Sequence, residues 1–172
     1  MMSYEYDNGN TFQGLWQQSF ENKDFAGVPD DEGLWSENLQ HNWGTGSPGV
    51  IQNNDNWSIR LSGFLDISGW SSGKTVKWRV TSDDGAALVV GDEALLDCVG
   101  RDAGSTPLVN CDLADPPQMK LFPSGTGLVP ITIEFQELTG SASLKVEWKL
   151  DQQEWAVVPL ASLKPNLGLK TR

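Results

Sequence analysis

Apolar and polar residues alternate with a period of two along the best-defined stretches of this chain. In TVKWRVT, Val76, Trp78 and Val80 fall on one side and Lys77, Arg79 and Thr81 on the other. SLKVEWKL repeats the pattern, with Leu144, Val146, Trp148 and Leu150 on the apolar side. Successive side chains of a strand point to opposite faces, so both stretches read as strands with one buried and one wet face. Shorter apolar or alternating runs predict further strands at residues 14–20, 57–67, 86–91, 93–98 and 130–138. No dozen residues keep apolar positions at i, i+3, i+4 and i+7, and 18 Gly and 9 Pro interrupt the chain.

The expectation is an all-β protein, an antiparallel, jelly-roll-like β-sandwich with long loops at one end. Residues 21–56 and 99–127 carry no strand pattern and are expected to be those loops, since long irregular segments in compact domains are often functional. With 172 residues the chain is expected to form a single domain over 1–172, with its core at about 14–165. A chain of this size buries about 70% of its unfolded surface and needs no metal or disulfide to hold a core.

Charge narrows the partners. There are 12 Lys and Arg against 23 Asp and Glu, a net charge of −11. This disfavours the phosphate neutralisation that drives nucleic-acid binding, and docking on anionic lipid. No run reaches the roughly 18 apolar residues of a spanning helix, and MMSYEYDNGN lacks the basic and apolar regions of a signal peptide. A soluble module of a longer protein is expected. Cys98 and Cys111 have 12 residues between them. If oxidised they would remove about 3 kcal/mol of unfolded-state entropy, but two thiols alone leave their pairing open.

Candidate chemistry is sparse. The only histidine is His41, which with two cysteines excludes a zinc site and leaves no defensible catalytic triad. Two carboxylates for glycoside hydrolysis could be drawn from any acidic chain, and nothing here singles out a pair. The pair Asp83 and Asp84 sits between two strand-like runs. On local grounds SDDG is a hairpin connection; the other reading is a carboxylate site for a hard cation. NNDN (residues 53–56) is also oxygen-rich, and the sequence NWS at 56–58 is a glycosylation sequon. Of the eight tryptophans, most are expected in the core, with Trp35, Trp70 and Trp155 exposed.

Six blocks in order, GLWQQSFENKDFAG, NWGTGSPG, DNWSIRLSGFLDI, TSDDGAALVVGDEALLD, PITIEFQELTGSASLKVEWK and VVPLASLKP, resemble the PA-fourteen domain, the β-sandwich module named after the anthrax protective antigen. The resemblance runs from about Gly14 to Pro165. It implies a non-enzymatic, Ca2+-dependent lectin module. Vicinal sugar hydroxyls would complete the shell of an ion held by consecutive aspartates joined through a cis peptide, here Asp83 and Asp84. Gln136 is implied as a further metal ligand, with Glu137 beside it at the glycan and carbonyls near 138–140. The implied partner is a glycan, with no nucleic acid and no membrane insertion. The implied setting is a secreted or cell-surface adhesin in which this is one monomeric module. Two alternatives stand beside it: a protein-interaction or spacer module of a toxin or surface protein, and a glycan-targeting module of a glycosidase. The family usually has a short segment after LLD, whereas this chain has the long stretch 99–127.

Overall fold

The computed structural model describes residues 12–99 and 116–166. Its strands are β1 (Leu15–Phe20), β2 (Asp31–Trp35), β3 (Gln40–Gly44), β4 (Trp57–Asp66), β5 (Lys74–Asp83) and β6 (Gly85–Val90). They continue with β7 (Glu93–Asp97), β8 (Gln118–Leu121), β9 (Leu128–Glu137), β10 (Ala142–Leu150), β11 (Ala156–Val157) and β12 (Leu163–Pro165). A short 3-10 turn, Leu160–Ser162, precedes β12.

The strands form two antiparallel sheets. One runs β2-β1-β4-β9-β6-β7, with β12 also on β4; the other runs β11-β10-β5-β8, with β3 also on β10. Trp57, Ile59 and Leu61 of β4 and Ile131, Ile133 and Phe135 of β9 meet Val76, Trp78 and Val80 of β5 and Leu144, Val146 and Trp148 of β10 in one buried cluster. Each such Leu, Ile or Val contributes about 1.5–3 kcal/mol relative to exposure. The expected sandwich and its inward-facing residues are therefore present, because central strands must present an apolar residue at every second position.

Three expectations need correction. Residues 21–56 are not all loop: β2 pairs with β1, and β3 with β10. Both are edge strands with one neighbour, so they carry polar residues at positions where a central strand would be apolar. Residues 99–127 contain β8, paired with β5 from Lys74↔Leu121 to Lys77↔Gln118. Residues 100–115 of that segment, Cys111 among them, lie outside the described residues. Cys98 is disulfide-bonded.

The third correction concerns SDDG, which is not a hairpin. β5 pairs with β10 and β8, whereas β6 pairs with β9 and β7. The chain passes from one sheet to the other at Asp84, the single residue between the two strands. A glycine fixes the start of β1: Gly14 has φ +117°, and a Cβ there would collide with the carbonyl of Trp35.

Candidate functional site

The crossing at Asp84 brings the ends of β5 and β9 together. The Asp83–Asp84 peptide is cis. Asp84 is only 5% exposed. Its Oδ2 accepts the Leu138 amide at 2.7 Å, and its carbonyl accepts the Ser82 hydroxyl at 2.9 Å. Asp83 is half-buried and stands opposite Ser143 of β10.

Glu137 ends β9 in register with Trp57. It continues the inward series of Ile131, Ile133 and Phe135 and is fully buried, at 0% exposure. Among the described residues neither of its carboxylate oxygens has a hydrogen-bond partner. Burial, then the charges of Asp84, Asp83 and Asp55, push its pKa up to about 8. Asp83 is also raised, by burial and then by Asp84. The loops close around these acids: the Gly140 amide donates to Asp55 Oδ1 at 3.0 Å, and the Asn56 amide to the Leu138 carbonyl at 2.9 Å.

A buried carboxyl with both oxygens unpartnered costs the full desolvation of those groups unless it is protonated or neutralised by a cation. Every charge acting on Glu137 is another acid. Carboxylates concentrated with no cationic side chain among the charges acting on Glu137 suit a hard cation, which takes oxygens from carboxylates and carbonyls in irregular geometry. Among the described residues no three His, Cys, Asp or Glu side chains form a metal cluster by themselves. Backbone carbonyls would have to share the coordination.

Gln136 lies elsewhere. It is flanked in register by Ser58 and Gly85, so it faces the outer side of its sheet, opposite to Glu137. Its Nε2 donates to the Lys23 carbonyl at 2.6 Å, while Ser58 Oγ donates to the Asn22 carbonyl at 2.6 Å. Together they fasten the loop after β1 to the sheet. The structure thus brings together Asp83, Asp84 and Glu137, adds Asp55, and separates Gln136 from them. Period-two alternation carried one step, two residues, past Phe135 would have ranked Glu137 above Gln136. Asp55 had only the oxygen-rich NNDN as a signal.

Other side chains singled out in the sequence also have places. His41 Nδ1 and Glu37 Oε1 are 2.6 Å apart, and the imidazole packs 4.7 Å from the Trp43 ring. Trp35, expected to be exposed, is 4% exposed. The end of β2 turns it into the core, and its Nε1 donates to the Glu37 and Asn38 carbonyls. Trp35, His41 and Trp43 line a cavity of about 380 Å3 on that flank. Trp70 and Trp155 are half-buried. Lys74 sits 5.6 Å from the Trp70 ring and Arg79 sits 4.4 Å from that of Trp155.

A family model described as the PA14 domain matches residues 11–160. Among solved structures, the PA14 sugar-binding domain from an RTX adhesin is similar at TM-score 0.69 and 14% identity, over 91% of this chain and 100% of that one. The epithelial adhesin 6 A domain from Candida glabrata, solved with Galβ1-3GlcNAc, has TM-score 0.59 and 12% identity over 91% and 88%. An anti-sigma factor domain-containing protein from Clostridium clariflavum has TM-score 0.70 and 22% identity, over 89% of this chain and 47% of that one. This chain therefore spans about half the length of that protein. At these identities the likeness is one of fold. No curated protein sequence matches the chain significantly.

Proposed function

Because the chain belongs to the PA14 family, we propose that it is a non-catalytic carbohydrate-binding module that binds glycans through Ca2+ held at the Asp83–Asp84 corner. The single observation that carries the metal is Glu137, a fully buried carboxyl without hydrogen-bond partners among the described residues, on which only acids act. Asp83 and Asp84 would hold the ion, with carbonyl oxygens of the 138–140 loop, and Glu137 and Asp55 would add negative charge beside it. When bound, Ca2+ supplies open positions where two vicinal sugar hydroxyls replace water, because its coordination tolerates irregular geometry.

The chain's own residues do the rest. The Leu138 amide orients the Asp84 carboxylate, and Gln136 and Ser58 hold the loop after β1 against the outer sheet face. One diol on an open surface buries little area, so affinity per site is expected to be weak, and several copies in a longer secreted or surface protein would raise it by avidity. The test is a glycan array and calorimetry, each run with Ca2+ and with EGTA. Glycan binding that needs Ca2+ and disappears in Asp84→Asn supports the reading. Binding undiminished by EGTA overturns the metal role, and a blank array with Ca2+ bound leaves a protein-interaction or spacer module in its place.

A further inference from the structure

The outer face of the smaller sheet carries a charge opposite to that of the chain. Alternation and register place Lys120 beside Thr75, and Lys77 between Gln118 and Lys149. One row further along, Arg79 stands opposite Glu147, and beyond it Lys145 stands opposite Thr81. Five cations therefore share a face with three acids, Glu147, Asp151 and, at the far end of β5, Asp83, in a chain of net charge −11.

The two acids near the lysines, Glu147 and Asp151, are already engaged. Arg79 Nη2 and Nε donate to Glu147 at 2.8 and 3.1 Å, and Lys145 Nζ is 3.5 Å from the same carboxylate. Asp151 accepts the Thr75 amide at 2.8 Å and lies 3.9 Å from Lys74. Among the described residues Lys77, Lys120 and Lys149 have no ion-pair partner. Lys77 and Lys149 are direct cross-strand neighbours, an arrangement of like charges that destabilises a sheet. They flank a basin of about 270 Å3 that Thr75, Gln118 and Gln152 line with neutral polar groups and Asp151 lines with the carboxylate already held by the Thr75 amide and Lys74. One row away, the half-buried Trp155 ring is held against Arg79 and supplies an apolar platform on the same side.

We propose that this face is a second, metal-independent glycan site that takes acidic saccharide, with a uronate carboxylate or a sulfate between Lys77 and Lys149 and an adjacent ring on Trp155. Three features select this occupant. Two ammonium groups across one basin, without an ion-pair partner among the described residues, complement a single oxyanion. The amide and hydroxyl lining complements sugar hydroxyls. Cationic rows recur every two residues, about 7 Å along the strands, so an extended polyanion can follow them. The site lies on the sheet face toward the Lys74 end of β5, whereas Asp83 stands at its other end. It needs neither Ca2+ nor the corner acids.

The test uses the full chain in EDTA, with immobilised polygalacturonate as the uronate probe and heparin as the sulfated one. Neutral dextran and inorganic polyphosphate serve as controls. Expected is binding to an acidic polysaccharide that weakens with salt, does not extend to dextran, and falls about tenfold or more in the Lys77→Ala/Lys149→Ala variant. Trp155→Ala should weaken polysaccharide binding but leave polyphosphate binding unchanged. Ca2+-dependent glycan binding should persist in the lysine variant, and acidic-polysaccharide binding should persist in Asp84→Asn, so the two sites can fail separately. The proposal is overturned by no binding at low salt, by binding indifferent to both lysines, by acidic-polysaccharide binding that Trp155→Ala leaves unchanged, or by sedimentation showing that the chain self-associates and that the lysine variant abolishes this.

Discussion

The Asp84 carboxylate accepts the amide of Leu138 at 2.7 Å, joining the corner between the two sheets to the first residue beyond β9. One carboxylate therefore has two tasks, anchoring a loop and facing the buried Glu137. The tasks separate by mutation. Asp84→Ala removes both and leaves the Leu138 donor unpaired, at a cost of about 1–3 kcal/mol. Asp84→Asn can keep the acceptor while losing the charge. Urea unfolding without metal should show the larger loss for Asp84→Ala, while calorimetry should show Ca2+ binding lost in both. Retained Ca2+ binding in Asp84→Asn would remove Asp84 from the ion's coordination.

Glu137 gives a pH dependence whose sign is fixed. Its pKa in the folded protein is pushed up to about 8 from an ordinary 4.5, so between these values the folded state binds more proton than the unfolded state. Stability without metal should therefore fall as pH rises from about 4.5 to about 8. Saturating Ca2+ should flatten that decline, and Glu137→Gln should remove it. Thermal unfolding across this range, in EGTA and in Ca2+, is the measurement. A metal-free profile unchanged by Glu137→Gln would contradict the raised carboxyl.

Gln136 separates an anchoring role from a ligating one. Its contact with the Lys23 carbonyl, at 2.6 Å on the outer face, predicts that Gln136→Ala loosens the loop after β1 and costs about 1–2 kcal/mol. Ca2+ affinity should change by less than about threefold, well under 1.4 kcal/mol. Loss of Ca2+ binding in a folded Gln136→Ala protein would return this residue to the ion.

The same residues mark what the sequence made legible. Val76, Trp78 and Val80 declared their strand because β5 lies between β8 and β10 over the core, and only alternation satisfies such a position. β2 and β3 were silent because an edge strand can be polar, as QHNWG is. The Asp83–Asp84 pair was visible, but its hairpin reading failed because strand partners are a long-range property. β6 finds β9, about 50 residues on, rather than β5. Trp35 was misplaced for a related reason, since its burial depends on β3 and on the Glu37 and Asn38 carbonyls that receive its indole. The corner acids could be named from the sequence, whereas the side of β9 that meets them required the register.

Arg79 offers a test of how much the smaller sheet relies on its outer face. Its guanidinium grips Glu147 through two nitrogens and lies 4.4 Å from the Trp155 ring, a planar arrangement that an ammonium group cannot reproduce. The hydrogen bond from Arg79 holds the Glu147 carboxyl below its ordinary range. A lowered pKa stabilises the fold above the unfolded value of 4.5, and that contribution is lost as pH falls through the lower folded value. Arg79→Lys should therefore cost only about 0.5–1 kcal/mol at neutral pH, because solvent screens a side chain this exposed. The gap from the parent protein should narrow on acidification below about pH 4, as both proteins protonate Glu147. Urea unfolding of the two proteins at pH 7 and pH 3 measures this, and a gap that stays the same in acid would show that packing against Trp155, not the ion pair, carries the effect.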